Sequence, residues 1–114
     1  MVGLTGDGIF DAVLHSGPRI TILSRLCIHQ RMRFGQLEKS TGLTSGNLSA
    51  HLAILVKAGH VQDSIDDRKV ERTRTLSITP QGDAAFRAYI SKLQATLTDL
   101  QATLPAPTPG PSKA

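Results

Sequence analysis

From Phe86 to Leu104 the apolar residues Phe86, Ile90, Leu93, Leu97, Leu100 and Leu104 fall alternately four and three apart, which is the spacing of a coiled-coil seam. At 1.5 Å of rise per residue the stripe runs roughly 27 Å. A chain of 114 residues has too small a core to cover that length, so these six residues are the expected interface with a second copy. The competing reading is a helix packed on its own domain. Thr79 can cap the helix and Pro80 can occupy its first position. Pro105, Pro107, Pro109 and Pro111 follow the seam. A dimerisation helix over 80–104 and an extended, disordered tail over 105–114 are therefore expected.

The rest of the chain leaves room for one small domain, expected over 9–104 together with the pairing helix. The residues are 39% apolar but only 4% aromatic, so aliphatic side chains must build the core. One cysteine excludes a disulfide framework, and no apolar run is long enough for a transmembrane helix. Residues 1–8 hold three glycines and read as a flexible end. They carry neither a basic nor an apolar leader pattern, and a cytoplasmic location is expected.

Ile9, Phe10, Val13 and Leu14 recur at helical spacing, which predicts a first helix from Ile9 to His15, broken by Gly17-Pro18. A second helix is expected from Pro18 to His29, with Leu23, Leu26 and Cys27 on one face and Ile20 and Ile22 beside it. The first two helices should pack together. Arg31-Met32-Arg33-Phe34 reads as a short extended segment. Gly35 to Thr41 is a short helix anchored by Leu37, and Gly42 can end it in the left-handed conformation. Thr44 then stands as the N-cap of a helix running to Lys57, with Leu48, Leu52, Leu55 and Val56 as its apolar stripe. Its other side, with Gly46, Asn47, Ala50, Ala53 and Lys57, is small and polar. Val61–Ile65 and Thr73–Ile78 predict two strands joined by a polar connection.

Charge is concentrated on that connection. The net charge is +4 and the isoelectric point about 9.7. Arg68, Lys69, Arg72 and Arg74 lie within seven residues, whereas the last forty residues hold only Arg87, Lys92 and Lys113 as bases. A local basic stretch is either a phosphate footprint or a solvated turn.

The order of elements, mainly α with a small β-hairpin (α+β), is that of a winged helix-turn-helix. Four stretches carry a more specific likeness: Leu37-Glu38-Lys39-Ser40-Thr41-Gly42-Leu43-Thr44, Asn47-Leu48-Ser49-Ala50-His51-Leu52, Leu55-Val56-Lys57-Ala58-Gly59-His60-Val61 and Leu76-Ser77-Ile78-Thr79-Pro80-Gln81-Gly82. Over about residues 9–100 the chain resembles the MarR/ArsR-type winged-helix transcriptional regulators of prokaryotes, in their minimal one-domain form.

The resemblance implies a homodimer on double-stranded DNA, with the helix 44–57 in the major groove and a basic wing over 66–74 on the backbone or minor groove. The chemistry of the residues agrees. Short polar side chains let the helix N-terminus approach phosphate or base edges. Asn47 has the amide geometry for adenine, Ser45 and Ser49 can reach phosphate or a base, and Ala50 can meet a thymine methyl. Thr44 is expected to cap and to touch phosphate, and His51 is the one ionisable group of the helix before Lys57. Arg68, Lys69, Arg72 and Arg74 are expected on phosphates, with Gln36 at the start of the preceding helix, and Arg31 and Arg33 beside the wing as secondary candidates. Related domains often carry a basic residue at the position of Ala50. Its absence weakens guanine readout and shifts affinity toward phosphate contacts and groove shape.

No catalytic arrangement is present: there is no phosphate-binding loop, no His-x-x-x-His pair and no serine elbow. Neither a cofactor nor a metal is expected. Cys27 and His29 are two positions apart, about 200° round a helix, and cannot face one ion. Cys27 is expected in the core. The family resemblance implies an effector pocket that could include Phe10, Leu14, Phe86 and Tyr89, although these can equally fill the dimer core, and no effector is identified. The alternative functions are a protein docking module built on the leucine seam, or a repressor answering to a ligand or metal.

Overall fold

The computed structural model describes residues 11–66, 73–108 and 110. Seven elements follow in order: α1 (Gly17–His29), β1 (Arg31–Arg33), α2 (Phe34–Thr41), α3 (Ser45–Lys57), β2 (Val61–Asp66), β3 (Thr73–Ile78) and α4 (Pro80–Thr103). The three strands form one antiparallel sheet in the order β1-β3-β2, with Met32 opposite Leu76 and Val61 opposite Ile78. The extended segment read at Arg31 is thus the third strand of the wing sheet.

Helix starts are set by short polar side chains that satisfy otherwise unpaired N–H groups. The Ser16 hydroxyl accepts from the Arg19 N–H, Thr44 from Asn47 and Thr79 from Gly82. Gly42, at φ 74°, ends α2 and sends its N–H back to the Glu38 carbonyl at 2.9 Å. That left-handed residue turns the chain so that Leu43 packs against the core and α3 can begin at once.

Ile22, Leu23 and Leu26 of α1, Leu37 of α2, Leu48, Leu52 and Leu55 of α3, and Leu76 of β3 are all fully buried. They form one aliphatic core with Phe86 and Tyr89 of α4 packed onto it. Val56, expected on the α3 stripe, is instead 39% exposed, while Leu48, Leu52 and Leu55 are the α3 residues fully buried in the core.

The helix expected from Ile9 to His15 is not formed in its described part. Residues 12–14 are a turn. The Asp11 carboxylate accepts from the Val13 N–H at 2.8 Å and the Leu14 N–H at 2.9 Å, a local side-chain alternative to helical bonding. Leu14 is buried and Val13 partly so, so the apolar periodicity marked real core positions on a different backbone. Ile9 and Phe10, with the expected flexible end over 1–8, lie outside the described residues.

Candidate nucleic-acid interface

Helix α3 is held from behind by three buried leucines and presents Ser45, Gly46, Asn47, Ala50, Ala53 and Lys57 outward, all exposed. Thr44 is exposed at its tip, its hydroxyl accepting from the Asn47 N–H at 3.2 Å. No acidic residue stands in the first turn. The positive end of the helix dipole is therefore left for an outside anion. Ser49 and His51 are half-buried at the flanks of this face. Ile54, 41% exposed, adds an apolar contact that the sequence pattern did not single out.

His51 has a partner from α1. Its Nδ1 lies 3.0 Å from Nη1 of Arg19, whose Nε donates to the Val13 carbonyl at 2.6 Å and whose Nη2 donates to the Ala12 carbonyl at 3.2 Å. Sequence reading passed over Arg19, because nothing local in a helix marks a partner 32 residues away. Gln36, exposed at the start of α2, accepts from the Arg33 N–H at 2.9 Å through its side-chain oxygen. Arg31 and Arg33 point outward from β1 on either side of buried Met32.

Among the basic wing residues, Arg68, Lys69 and Arg72 lie outside the described residues. Arg74 is described, and its guanidinium is engaged within the fold. Nη2 is 2.7 Å from the Asp63 carboxylate on the neighbouring strand, Nε donates to the same group at 3.0 Å, and the cation sits 4.6 Å from the centroid of the Phe34 ring. This fork-and-stack arrangement suits arginine and not lysine.

On α4 the six seam residues divide. Phe86 is buried at 6% exposure and Leu93 packs against the core of its own chain. Ile90 is at the margin, while Leu97, Leu100 and Leu104 are 50% exposed or more. Ile28 of α1 is also exposed, at 68%, beside a groove between α1 and α4 lined by Ser24, Cys27, Phe86, Arg87 and Ile90. Leu14, Phe86 and Tyr89, candidates for an effector pocket, are all buried in the core, and Phe10 lies outside the described residues.

The Cys27 thiol, half-buried at the groove, donates to the Asp83 carboxylate at 3.3 Å. Burial first, then that hydrogen bond and the carboxylate charge, push the thiol up to about 11. Asp83 in turn is held below the usual carboxylate range, first by the Arg87 guanidinium at 2.9 Å and then by the thiol. Among the described residues, no group of three or more His, Cys, Asp or Glu is placed to hold a metal ion, and no helix is long and apolar enough to cross a membrane.

A helix, a left-handed turn, a second helix with an open N-terminal face and a two-stranded wing together make up the fold, and residues 19–97 match the family model of the winged helix DNA-binding domain. The chain belongs to that family. The matched span of this winged helix domain takes in Arg19, all of α2 and α3, the wing and most of α4. An uncharacterized protein of Methanocaldococcus jannaschii, MJ0432, is 32% identical over 85 residues, or 75% of this chain and 88% of its own. The transcriptional regulator homologue protein from Pyrococcus horikoshii OT3 superposes with a TM-score of 0.76 at 25% identity, covering 81% of this chain and 91% of that one. A MarR-family regulator structure from Enterococcus faecalis V583 shares the fold, with a TM-score of 0.64 at 21% identity over 82% of this chain and 86% of that one.

Proposed function

We propose that this winged helix domain is a dimeric, sequence-specific regulator of transcription. In this reading it places the helix 44–57 in the DNA major groove and the wing 66–74 over the phosphate backbone or minor groove. One observation carries the reading: α3 is anchored by fully buried Leu48, Leu52 and Leu55 while its capped N-terminus offers exposed Ser45, Asn47 and Ala50. A helix held rigidly on one face and polar with small side chains on the other can enter a groove about 12 Å wide.

Thr44 and the helix N-terminus meet phosphate, Asn47 reads adenine, Ser45 and Ser49 bond phosphate or base, and Ala50 meets a thymine methyl. Arg68, Lys69 and Arg72 supply phosphate contacts that no sequence can discriminate. Exposed Arg31, Arg33 and Gln36 are secondary phosphate contacts in this reading. Arg74 contributes mainly by stiffening the base of the wing through Asp63.

Dimerisation is supported by exposed Leu97 and Leu100 on the outer part of α4 and Leu104 at its C-cap, with Ile90 at their margin. Two copies related by a two-fold axis would read half-sites about 34–36 Å apart. Selection of bound sequences from random duplexes tests the reading. A recovered palindrome with half-sites one turn apart is expected, with Asn47→Ala relaxing preference at particular bases. Recovery of no sequence above background, with the seam still pairing the chain, favours a protein docking module.

A further inference from the structure

An arginine guanidinium carries N–H donors and no acceptor, so the 3.0 Å contact between Nη1 of Arg19 and Nδ1 of His51 has one chemical solution. Nδ1 must accept, and the ring proton must sit on Nε2. Because Nδ1 and Nε2 lie on opposite sides of the imidazole, Nε2–H points away from the Arg19 guanidinium. His51 sits at the edge of the outward face of α3, one turn after Asn47 and one residue after Ala50. Arg19 is itself fixed, since Nε and Nη2 hold the carbonyls of Val13 and Ala12 at 2.6 and 3.2 Å. All three guanidinium nitrogens are engaged in bonds to two different segments.

We infer that Arg19 is a positioning residue for DNA recognition: it locks His51 in the Nε2–H tautomer and so gives the edge of the recognition helix one fixed hydrogen-bond donor for an acceptor on the duplex. The inference rests on the DNA-binding reading of α3. It fixes a donor beside Asn47, Ser45 and Ser49, each of which can rotate to present either a donor or an acceptor, whereas a tethered Nε2–H presents only a donor. Second-partner control of imidazole orientation is the general means by which histidine is given a defined role.

The test uses the full chain and its Arg19→Met, Arg19→Lys and His51→Ala variants, and the double variant Arg19→Met/His51→Ala, each checked for native helix content by circular dichroism. Nitrogen-detected NMR of the free protein should show a bare Nδ1 and a protonated Nε2 in a single tautomer. The mixture of tautomers should return in both Arg19 variants. On a duplex obtained by selection, Arg19→Met should weaken binding about twofold, the share of the Nε2–H tautomer lost when the ring is released. The dependence on salt should stay unchanged.

His51→Ala, which removes the donor altogether, should cost about tenfold, the size of one hydrogen bond involving a charged group, and the double variant no more than His51→Ala alone. Additive losses overturn the inference, as does full rescue by Arg19→Lys. A salt slope lower by about one unit in Arg19→Met also overturns it, because Arg19 would then be a phosphate contact. A wild-type chain that retains no duplex at any salt overturns the DNA-binding reading and this role with it. That case is told apart by a nitrogen spectrum that still shows the single tautomer.

Discussion

Gly82 of α4 lies against the backbone of His60: a Cβ at position 82 would come within 2.8 Å of both the Cα and the carbonyl carbon of His60. The contact closes the corner where the end of α3, the start of the wing and the start of α4 meet. Thr79 ties the same corner, its hydroxyl donating to the Gly59 carbonyl at 2.7 Å and accepting from the Gly82 N–H at 2.9 Å. Gly82→Ala therefore has no side chain to push aside, only backbone, and is expected to destabilise the fold by about 3 kcal/mol, the upper end of overpacking costs. Thermal unfolding checks it. Gly46→Ala, where nothing lies within 4 Å of an added Cβ, should leave the fold's stability intact or raise it slightly.

The division of the α4 stripe makes its two halves experimentally separable. Leu97→Glu together with Leu100→Glu removes apolar surface that this chain does not itself cover. Sedimentation should show a monomer with nearly unchanged unfolding of the winged domain. Leu93→Ala, by contrast, empties a position packed on the core and should lower stability by about 2 kcal/mol. A double glutamate variant that still sediments as a dimer would place the pairing surface elsewhere.

Particular residues show what the sequence could disclose. The helix-turn-helix was legible because Leu48, Leu52 and Leu55 repeat at helical spacing and Gly42 sits where only a left-handed residue can close α2. The N-terminal turn was misread because Val13 and Leu14 satisfy the helical pattern while the Asp11 carboxylate, a neighbour in sequence, captures their N–H groups instead. Periodicity also groups residues by face without naming what covers the face. Phe86 and Leu97 share one stripe, yet the first lies in the core and the second is exposed. Arg74 was legible as a basic wing residue but its bonding to Asp63 and Phe34 was not, and Arg19 was not legible at all, since both depend on partners brought close only by the fold.

Arg74 offers a contrast within the basic stretch. Its bonds to Asp63 and its stacking on Phe34 predict that Arg74→Ala lowers fold stability by about 1 kcal/mol, as for a partly exposed ion pair with one cation–π contact. Its effect on the salt dependence of DNA binding should be small. Neutralising Arg68, Lys69 and Arg72 together should do the reverse, leaving unfolding unchanged and lowering the salt slope by up to about three units. Filter binding across a salt series, paired with thermal melts, separates the two.

The Cys27 thiol gives a pH dependence of defined sign. In the folded chain it is raised to about 11 from an ordinary value of 9.0. Between those values the unfolded chain has released the thiol proton and the folded chain has kept it. Stability from this group is thus complete below pH 9 and falls as pH rises toward 11. Urea midpoints measured from pH 8 to 11 should drop more steeply in the wild-type chain than in Cys27→Ala. At pH 8 the native thiol should react with iodoacetamide far more slowly than the urea-unfolded chain, because the thiolate is the nucleophile. Asp83→Asn removes the carboxylate charge but not the burial, which is the larger cause. The alkylation pKa should then move down toward 9.0 without reaching it, and a native thiol that alkylates as fast as the unfolded one at pH 8 would contradict the assignment.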